Sequence, residues 1–324
     1  MSPRRAIWIS WERHRRSREL ARALGVPLHE ITSAGHPLWR SLSCAARTAW
    51  LLLRVRPTLL FVQNPSVQLA YLTCLLKPLF RYTLVVDRHS NFNFADTESG
   101  LFNRLSNYTM RHANLTIVTN DAVAALVEGK GGRALVLQDT LPALRSRPPG
   151  LPEARTRVVY VCSFLSDEPV EEMLGAAARL GEDFRVFVTG RVTKEFESLA
   201  RSAPPSVTFT GFIPEEEYVS LLSAADVVVA LTKRENTLLC GAYEGVSLRK
   251  PLVLSNQAVL RSYFKKGVVL TENSPDSLEA AIRKAARERD RLGAELAELV
   301  PELKADWASR FERLKARLGL ADAA

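Results

Sequence analysis

The chain has 324 residues, 47% of them hydrophobic, and its 44 Lys/Arg against 35 Asp/Glu give a formal net charge of +9. That length is too great for one core of usual size and suits two α/β domains of about 150 residues each. Four scattered cysteines, Cys44, Cys74, Cys162 and Cys240, form no CxxC pair, which argues against a disulfide framework or a zinc site.

Taken in chain order, the N-terminus precedes only a short apolar run at 6–9 and then the charges of 12–18, which is not a signal-peptide layout. Strands are expected at 6–10, 28–31, 59–62, 83–87, 115–119 and 134–137, and helices at 14–24, 38–55, 100–111 and 121–128. The best apolar run, 67–76, ends at Lys77-Pro78, short of the roughly 18 residues a membrane span needs, so a cytoplasmic protein is expected. The helix at 38–55 sets Arg40, Arg47 and Arg54 on one stripe beside Trp39, Leu42, Ala46, Trp50 and Leu53. Such a helix packs on a sheet or lies on anionic lipid at the inner face of a cell membrane; Leu51 and Leu52 widen its apolar face and keep the second reading open. No nucleic-acid-binding motif accompanies the charge, so nucleic acid is not an expected partner.

The polar, proline-rich passage 144–152 reads as a linker. Beyond it the rhythm restarts, with strands at 157–162, 185–189, 207–210, 227–231, 252–254 and 268–270. Helices follow at 169–180, 193–200, 215–224, 238–246 and 259–264, then a long one from near Ser274. In the tail, Trp307, Phe311, Leu314 and Leu318 form one apolar helical face. The expected fold class is α/β with two Rossmann-like domains facing a cleft: 1–150, 151–300, and a C-terminal helix, 301–324, closing back towards the first domain. The basic excess belongs to the first half, where residues 1–150 hold 20 Lys/Arg and 9 Asp/Glu, against 24 and 26 in the remainder.

Ligands of open α/β sheets bind beyond the carboxyl ends of the strands. After the strand at 227–231, a polar turn leads into a helix; with Asn236 or Thr237 as N-cap, its free N–H groups and positive dipole end make a diphosphate seat. Lys233 and Arg234 add charge beside it, although solvated surface side chains fit equally. Glu244, further along the helix, either reaches a pair of vicinal hydroxyls or is an ordinary exposed glutamate. In the first half, Asp87-Arg88-His89 follows a strand, where a carboxylate or imidazole receives an acceptor hydroxyl's proton or merely closes a turn. The basic turn containing Arg13, His14 and Arg16 follows the first strand, without the GxGxxG of a dinucleotide site, and suits either a phosphate-bearing acceptor or a solvated helix start.

These residues resemble the GT-B glycosyltransferases, in particular glycosyltransferase family 4. Its equivalent helix carries Glu-x7-Glu: the second Glu, which bonds the nucleotide ribose, matches Glu244, followed by Gly245 and Lys250-Pro251. The first, near the donor sugar and phosphates, falls on Asn236, with Glu235 one place early. The passage 207–214, followed by Tyr218, Leu221, Leu222, Ala225 and Asp226, is similar to the one whose loop holds the nucleobase, which places Phe212 and Ile213 there. The Arg and Lys that grip the donor diphosphate in that family have no counterpart in the loop at Ser163–Pro169. Arg191, after Thr189-Gly190, and Arg234 stand nearest, so Ser163, Gly190 and Arg191 join the candidate donor set.

The resemblance implies a metal-independent, retaining, hexosyltransferase-type enzyme with a nucleoside-diphosphate sugar as co-substrate and no bound cofactor. Its acceptor would be a glycan or polyprenyl-linked molecule of cell-envelope or exopolysaccharide synthesis; if configuration inverts instead, Asp87 or His89 is the base. A sugar-nucleotide epimerase of the same architecture, or a non-catalytic sugar-nucleotide-binding protein, remains open beside it.

Overall fold

The computed structural model describes residues 5–64, 66–89, 100–145 and 156–320. Most of the expected linker at 144–152 lies outside the described residues. The chain divides into two compact units, Met1–Thr140 with Trp307–Ala324, and Leu141–Asp306.

The first unit runs β1 (Ala6–Ser10), α1 (Arg15–Ala23), β2 (Leu28–Glu30), α2 (Pro37–Val55), β3 (Leu59–Asn64), α3 (Val67–Phe80), β4 (Thr83–Arg88), α4 (Gly100–His112), β5 (Leu115–Val118), α5 (Asp121–Gly129) and β6 (Ala134–Val136). All its strands are parallel, in the order β2-β1-β3-β4-β5-β6. Parallel strands need covered faces, so β1, β3, β4 and β5, which lie between the edge strands, are buried at nearly every position, mostly by apolar side chains. Alternation sorts them. Ile7, Ile9, Leu60 and Val62 pack with Cys44 and Leu52 of α2 and Leu69 and Cys74 of α3. Trp8, Leu59 and Phe61 face the opposite way onto Leu20 of α1, and Trp8 stacks on Phe61 with ring centroids 5.1 Å apart.

The second unit runs β7 (Thr156–Tyr160), α6 (Val170–Leu180), β8 (Phe184–Thr189), α7 (Glu197–Arg201), β9 (Val207–Gly211), α8 (Glu215–Ala224), β10 (Val227–Ala230), α9 (Cys240–Ser247), β11 (Leu252–Ser255), α10 (Ala258–Tyr263), β12 (Val268–Thr271), α11 (Pro275–Arg287) and α12 (Arg289–Leu318). Its parallel sheet has the order β12-β11-β10-β7-β8-β9. Strand order thus reverses between β7 and β10, as it does between β1 and β3 in the first unit, and such a reversal opens a crevice at the carboxyl ends of the two strands.

The expected pair of Rossmann-like domains is what the chain forms. From Trp307 onward α12 belongs to the first unit, where Phe311, Leu314 and Leu318 share the core of Trp8 and Leu20 and the Trp307 indole N–H donates to Gln138 O at 3.1 Å. The long helix expected from Ser274 is instead two helices. Ser274 caps α11 by accepting from Ser277 N, α11 ends at Arg287 with Glu288 as its C-cap, and α12 starts afresh at Arg289. The helix expected at 193–200 is a turn of 3-10 helix, Lys194–Phe196, running into the short α7. The apolar run at 67–76 is α3, whose Leu69, Ala70 and Cys74 are core. Among the described residues no helix is long and apolar enough to cross a membrane.

Candidate functional site

At the strand-order reversal of the second unit, the loop from β7 to α6 and the loop from β10 to α9 lie side by side and hold each other. The Thr232 hydroxyl donates to Asp167 Oδ2 at 2.9 Å while accepting from Arg234 N at 3.0 Å, and Lys233 N donates to Asp167 O at 2.6 Å. The Glu168 carboxylate accepts from the backbone N–H groups of Ser163 (3.0 Å) and Leu165 (2.8 Å), so the turn after β7 folds around an anion supplied by the chain itself. Burial pushes the Glu168 carboxyl up, against the pull of those N–H donors. Both cations of the second loop are also paired: Lys233 Nζ lies 2.8 Å from Glu172, and the Arg234 guanidinium 3.5 Å from Asp167.

The helix carrying Glu244 begins later than the sequence suggests. Asn236 and Thr237 were expected to cap it, but α9 starts at Cys240 with Leu239 at the N-cap position and no side-chain cap. Asn236 has φ +56° in a turn, and the Thr237 hydroxyl donates to Glu235 O at 3.3 Å, so both sit in the loop ahead of the helix. Leu238 and Leu239 pack against the apolar core under the sheet, which delays the first helical turn. The start of α9 presses close to β7: a Cβ on Gly241 would fall 2.7 Å from the Val161 Cβ. Glu244 is buried, and the Tyr218 phenol of α8 donates to its carboxylate at 2.5 Å. The sequence placed Tyr218 near the nucleobase loop but did not connect it to Glu244, 26 residues on.

The remaining donor candidates ring the same strand ends. Gly190 follows β8 with φ +88°, and a Cβ there would meet the Cys162 carbonyl oxygen at 2.2 Å, so only glycine permits β8 to pass the β7 loop so closely. Ser163, Arg191 and Glu235 are exposed. Phe212 is 83% exposed at the end of β9, whereas Ile213 packs against the core beside Tyr218.

In the first unit, four of the sequence-derived candidates come together. Arg16 is buried at the start of α1 and donates to Asp87 Oδ1 at 2.9 Å, to Asp139 Oδ1 at 2.7 Å and to Leu137 O at 2.8 Å. Burial alone would push Asp87 up, but Arg16 and then His89 overcome it and hold its carboxyl at about 2. His89 Nδ1 lies 3.4 Å from Asp87 Oδ2, and the His89 ring stacks on His14 with centroids 4.2 Å apart. Burial first, and the neighbouring His89 second, lower His14 to about 4; its Nδ1 is enclosed without a hydrogen-bond partner. Arg13 points away, exposed. The arrangement keeps Asp87 ionised, its side chain fully buried, and leaves the imidazoles of His14 and His89 as the partly exposed members of the set. Asp139 was missed in the sequence because nothing local marks a loop aspartate as the partner of an arginine 123 residues earlier. Among the described residues no three His, Cys, Asp or Glu side chains are placed to share a metal ion.

The sheet order, the β7 and β10 loops and the buried glutamate of α9 all fall in one stretch of sequence. Residues 145–298 match the family Glycosyl transferases group 1. Among curated proteins none matches the chain. Among solved structures, a sucrose-phosphate synthase from Thermosynechococcus elongatus superposes with a TM-score of 0.80 at 16% identity, covering 98% of this chain and 100% of that one. Alr3699/HepE of Anabaena, solved in complex with UDP and glucose, gives a TM-score of 0.76 at 13% identity over 96% of this chain and 91% of its own. A putative UDP-N-acetylglucosamine 2-epimerase from Listeria monocytogenes gives 0.70 at 10% identity over 99% and 98%. The two Rossmann-like units are those of a GT-B chain similar to group 1 glycosyltransferases, as the sequence motifs implied.

Proposed function

We propose that this chain transfers a hexosyl group from a nucleoside-diphosphate sugar to a glycan or polyprenyl-linked acceptor, in the building of a cell-envelope or extracellular polysaccharide. The observation that carries the reading is Glu244, a carboxylate buried on α9 and fixed by the Tyr218 phenol, next to the β7–β10 reversal within the matched family region. A carboxylate so oriented accepts hydrogen bonds from the two vicinal hydroxyls of a ribose. Phe212, exposed beside Ile213, offers the nucleobase a flat apolar surface. The diphosphate would take N–H donors from the start of α9, with Arg234, Arg191 and the Gly190 turn around it, and the same groups would stabilise charge developing on the leaving group. Asn236, Glu235, Thr237 and Ser163 would contact the donor sugar and phosphates, with no cofactor or metal required.

In the first unit, His89, beside Asp87, is the proton-handling group, and Arg13, His14 and Arg16 belong to the acceptor end, Arg16 through its hold on Asp87. Retention of configuration is the expected course, with His89 or Asp87 as base if the product proves inverted.

A thermal-shift series with UDP, GDP, dTDP, ADP and their sugars tests the donor site, since a ligand of the native state raises its melting temperature by mass action. Stabilisation by one nucleotide family in the wild type, lost in Glu244→Gln, is the expected result. No stabilisation at millimolar nucleotide would refute the donor site. NMR of the products then separates transfer from epimerisation: an isomerised donor formed without acceptor would make the chain an epimerase.

A further inference from the structure

Helices α2, α3 and α4 cover the same side of the first unit's sheet, and their outer surface is unlike the rest of the protein. Of the ten large hydrophobic residues exposed among the described ones, Leu38, Trp39, Leu42, Trp50 and Leu53 belong to α2, Leu75 and Leu79 to α3, and Leu101 to α4. Those of α2 are 57% to 71% exposed, the opposite of what a helix packed by both faces would show.

The pattern along α2 is ordered. At 3.6 residues per turn, Leu38, Leu42, Leu53, Trp39 and Trp50 fall within an arc of about 120°, and Arg54, Arg47 and Arg40 span about 40° more, beginning about 40° beyond its edge. The buried Cys44, Thr48 and Leu52 take the side facing the sheet. The Arg54 guanidinium lies 5.3 Å from the Trp50 ring centroid, a cation over an aromatic face. Around this stripe, among the described residues, negative charge is missing. The sequence from Ile31 to Val86 contains no Asp or Glu, whereas it contains Arg40, Arg47, Arg54, Arg56, Lys77 and Arg81, and α4 has no carboxylate either. Solvated surfaces usually intersperse both signs, so a face of tryptophan, leucine and cations alone has a different partner from water.

We infer that this face docks on an anionic lipid bilayer, α2 lying in the plane of the interface with Leu38, Leu42 and Leu53 in the acyl boundary, both tryptophans at headgroup level, and Arg40, Arg47 and Arg54 against lipid phosphates. Charge complementarity selects this occupant. A second copy of the chain would set cationic rim against cationic rim with no carboxylate in either patch to offset it, whereas anionic lipid satisfies the arginines and the leucines together.

The full-length protein is mixed with vesicles of phosphatidylcholine containing about one third phosphatidylglycerol, or with phosphatidylcholine alone, and floated through a density gradient. Co-flotation with the anionic vesicles, weakened by added salt and accompanied by a blue shift of tryptophan emission, is expected without any nucleotide present. Each cation near an anionic surface contributes roughly a fivefold gain in partitioning, so Arg40→Gln/Arg47→Gln/Arg54→Gln lowers it about a hundredfold. Trp39→Ser/Trp50→Ser removes the blue shift. All five side chains are exposed, and the arginine variant gives up one surface hydrogen bond, Arg47 to Thr32 O at 2.9 Å, so both variants keep the wild-type circular dichroism and melt within a few degrees of the wild type. Failure to bind anionic vesicles, or binding indifferent to both variants, overturns the inference. So does a dimer in light scattering that the tryptophan variant dissolves while vesicles stay unbound, because a second copy then owns the face.

Discussion

Arg16 ties the start of α1 to the end of β4 and to the loop after β6, and its removal should loosen the whole first unit. In Arg16→Met the Asp87 carboxylate, fully buried, loses its counter-charge, and Leu137 O loses its donor, whereas Asp139 keeps 29% of its side-chain surface and can turn to water. Breaking a buried ion pair from one side costs about 3–5 kcal/mol, a large part of the 5–15 kcal/mol that holds a domain together. The protein provides its own reporter: Trp8, Trp11, Trp39, Trp50 and Trp307 all belong to the first unit, so tryptophan emission in urea follows that unit and not the other. With a urea slope of roughly 2–3 kcal/mol per molar for a unit of this size, the midpoint should fall by about 1.5 M. The double variant Arg16→Met/Asp87→Leu, which removes both charges, should regain at least half of that loss, since a buried pair replaced by apolar groups is often close to neutral. A midpoint shift under about 0.5 M in the single variant, or a double variant no better than the single, would refute the account of Arg16 as the paired centre of this unit.

Three further outcomes follow from the same structure. Glu244→Gln should weaken binding of the stabilising nucleotide by about tenfold to a hundredfold in calorimetry, the worth of a charge-assisted hydrogen bond, and Tyr218→Phe by about fivefold; equal affinity in both would detach Glu244 from the ribose. Because His14 titrates near 4 in the folded protein and near 6.5 when unfolded, the unfolded chain takes up that proton first as pH falls. The first unit should therefore lose stability between about pH 6.5 and pH 4, and His14→Gln should flatten that slope in urea midpoints; an unchanged slope contradicts the buried neutral imidazole. Cys240 is exposed, whereas Cys44, Cys74 and Cys162 are buried and burial raises the Cys74 thiol to about 12. Ellman's reagent should find one rapid thiol in the native protein, lost in Cys240→Ser, and the other three only after unfolding.

The alternating strands and helices were legible because parallel strands buried on both faces read as short apolar runs: 6–10 coincides with β1, and 59–62 differs from β3 only in the polar Gln63 and Asn64, buried at its end. The candidate site was legible by place and less so by partner. Asp87, His89, His14 and Arg16 could each be set at a strand end or helix start, yet nothing in the run Glu12-Arg-His-Arg-Arg-Ser17 said which cation turns inward. Helical spacing holds the clue, since Arg16 lies one turn before the buried Leu20 and Ser17 one turn before the buried Ala21. The cap at Asn236 or Thr237 was misread because polar residues before an apolar run usually begin a helix. Here Thr232 spends its hydroxyl on Asp167 and Arg234 N, contacts 65 and two residues away, and that anchoring stretches the loop to Leu239. The acidic pair Asp167-Glu168 was visible where cations were expected, but its role in knitting two loops together depends on contacts that only folding brings about.

The turn after β7 closes on Glu168, and its neighbour is pinned through Asp167 and Thr232, so the chain itself supplies both partners of each of these bonds. The conformational entropy of these two loops is therefore lost when the unit folds and not when a ligand arrives. Such preorganisation leaves binding free energy to be set by contacts alone. It also fixes what the proposed diphosphate would encounter: at Ser163 N and Leu165 N it would find donors already engaged, and it would have to look to the start of α9 or displace a carboxylate that burial has already made easier to protonate.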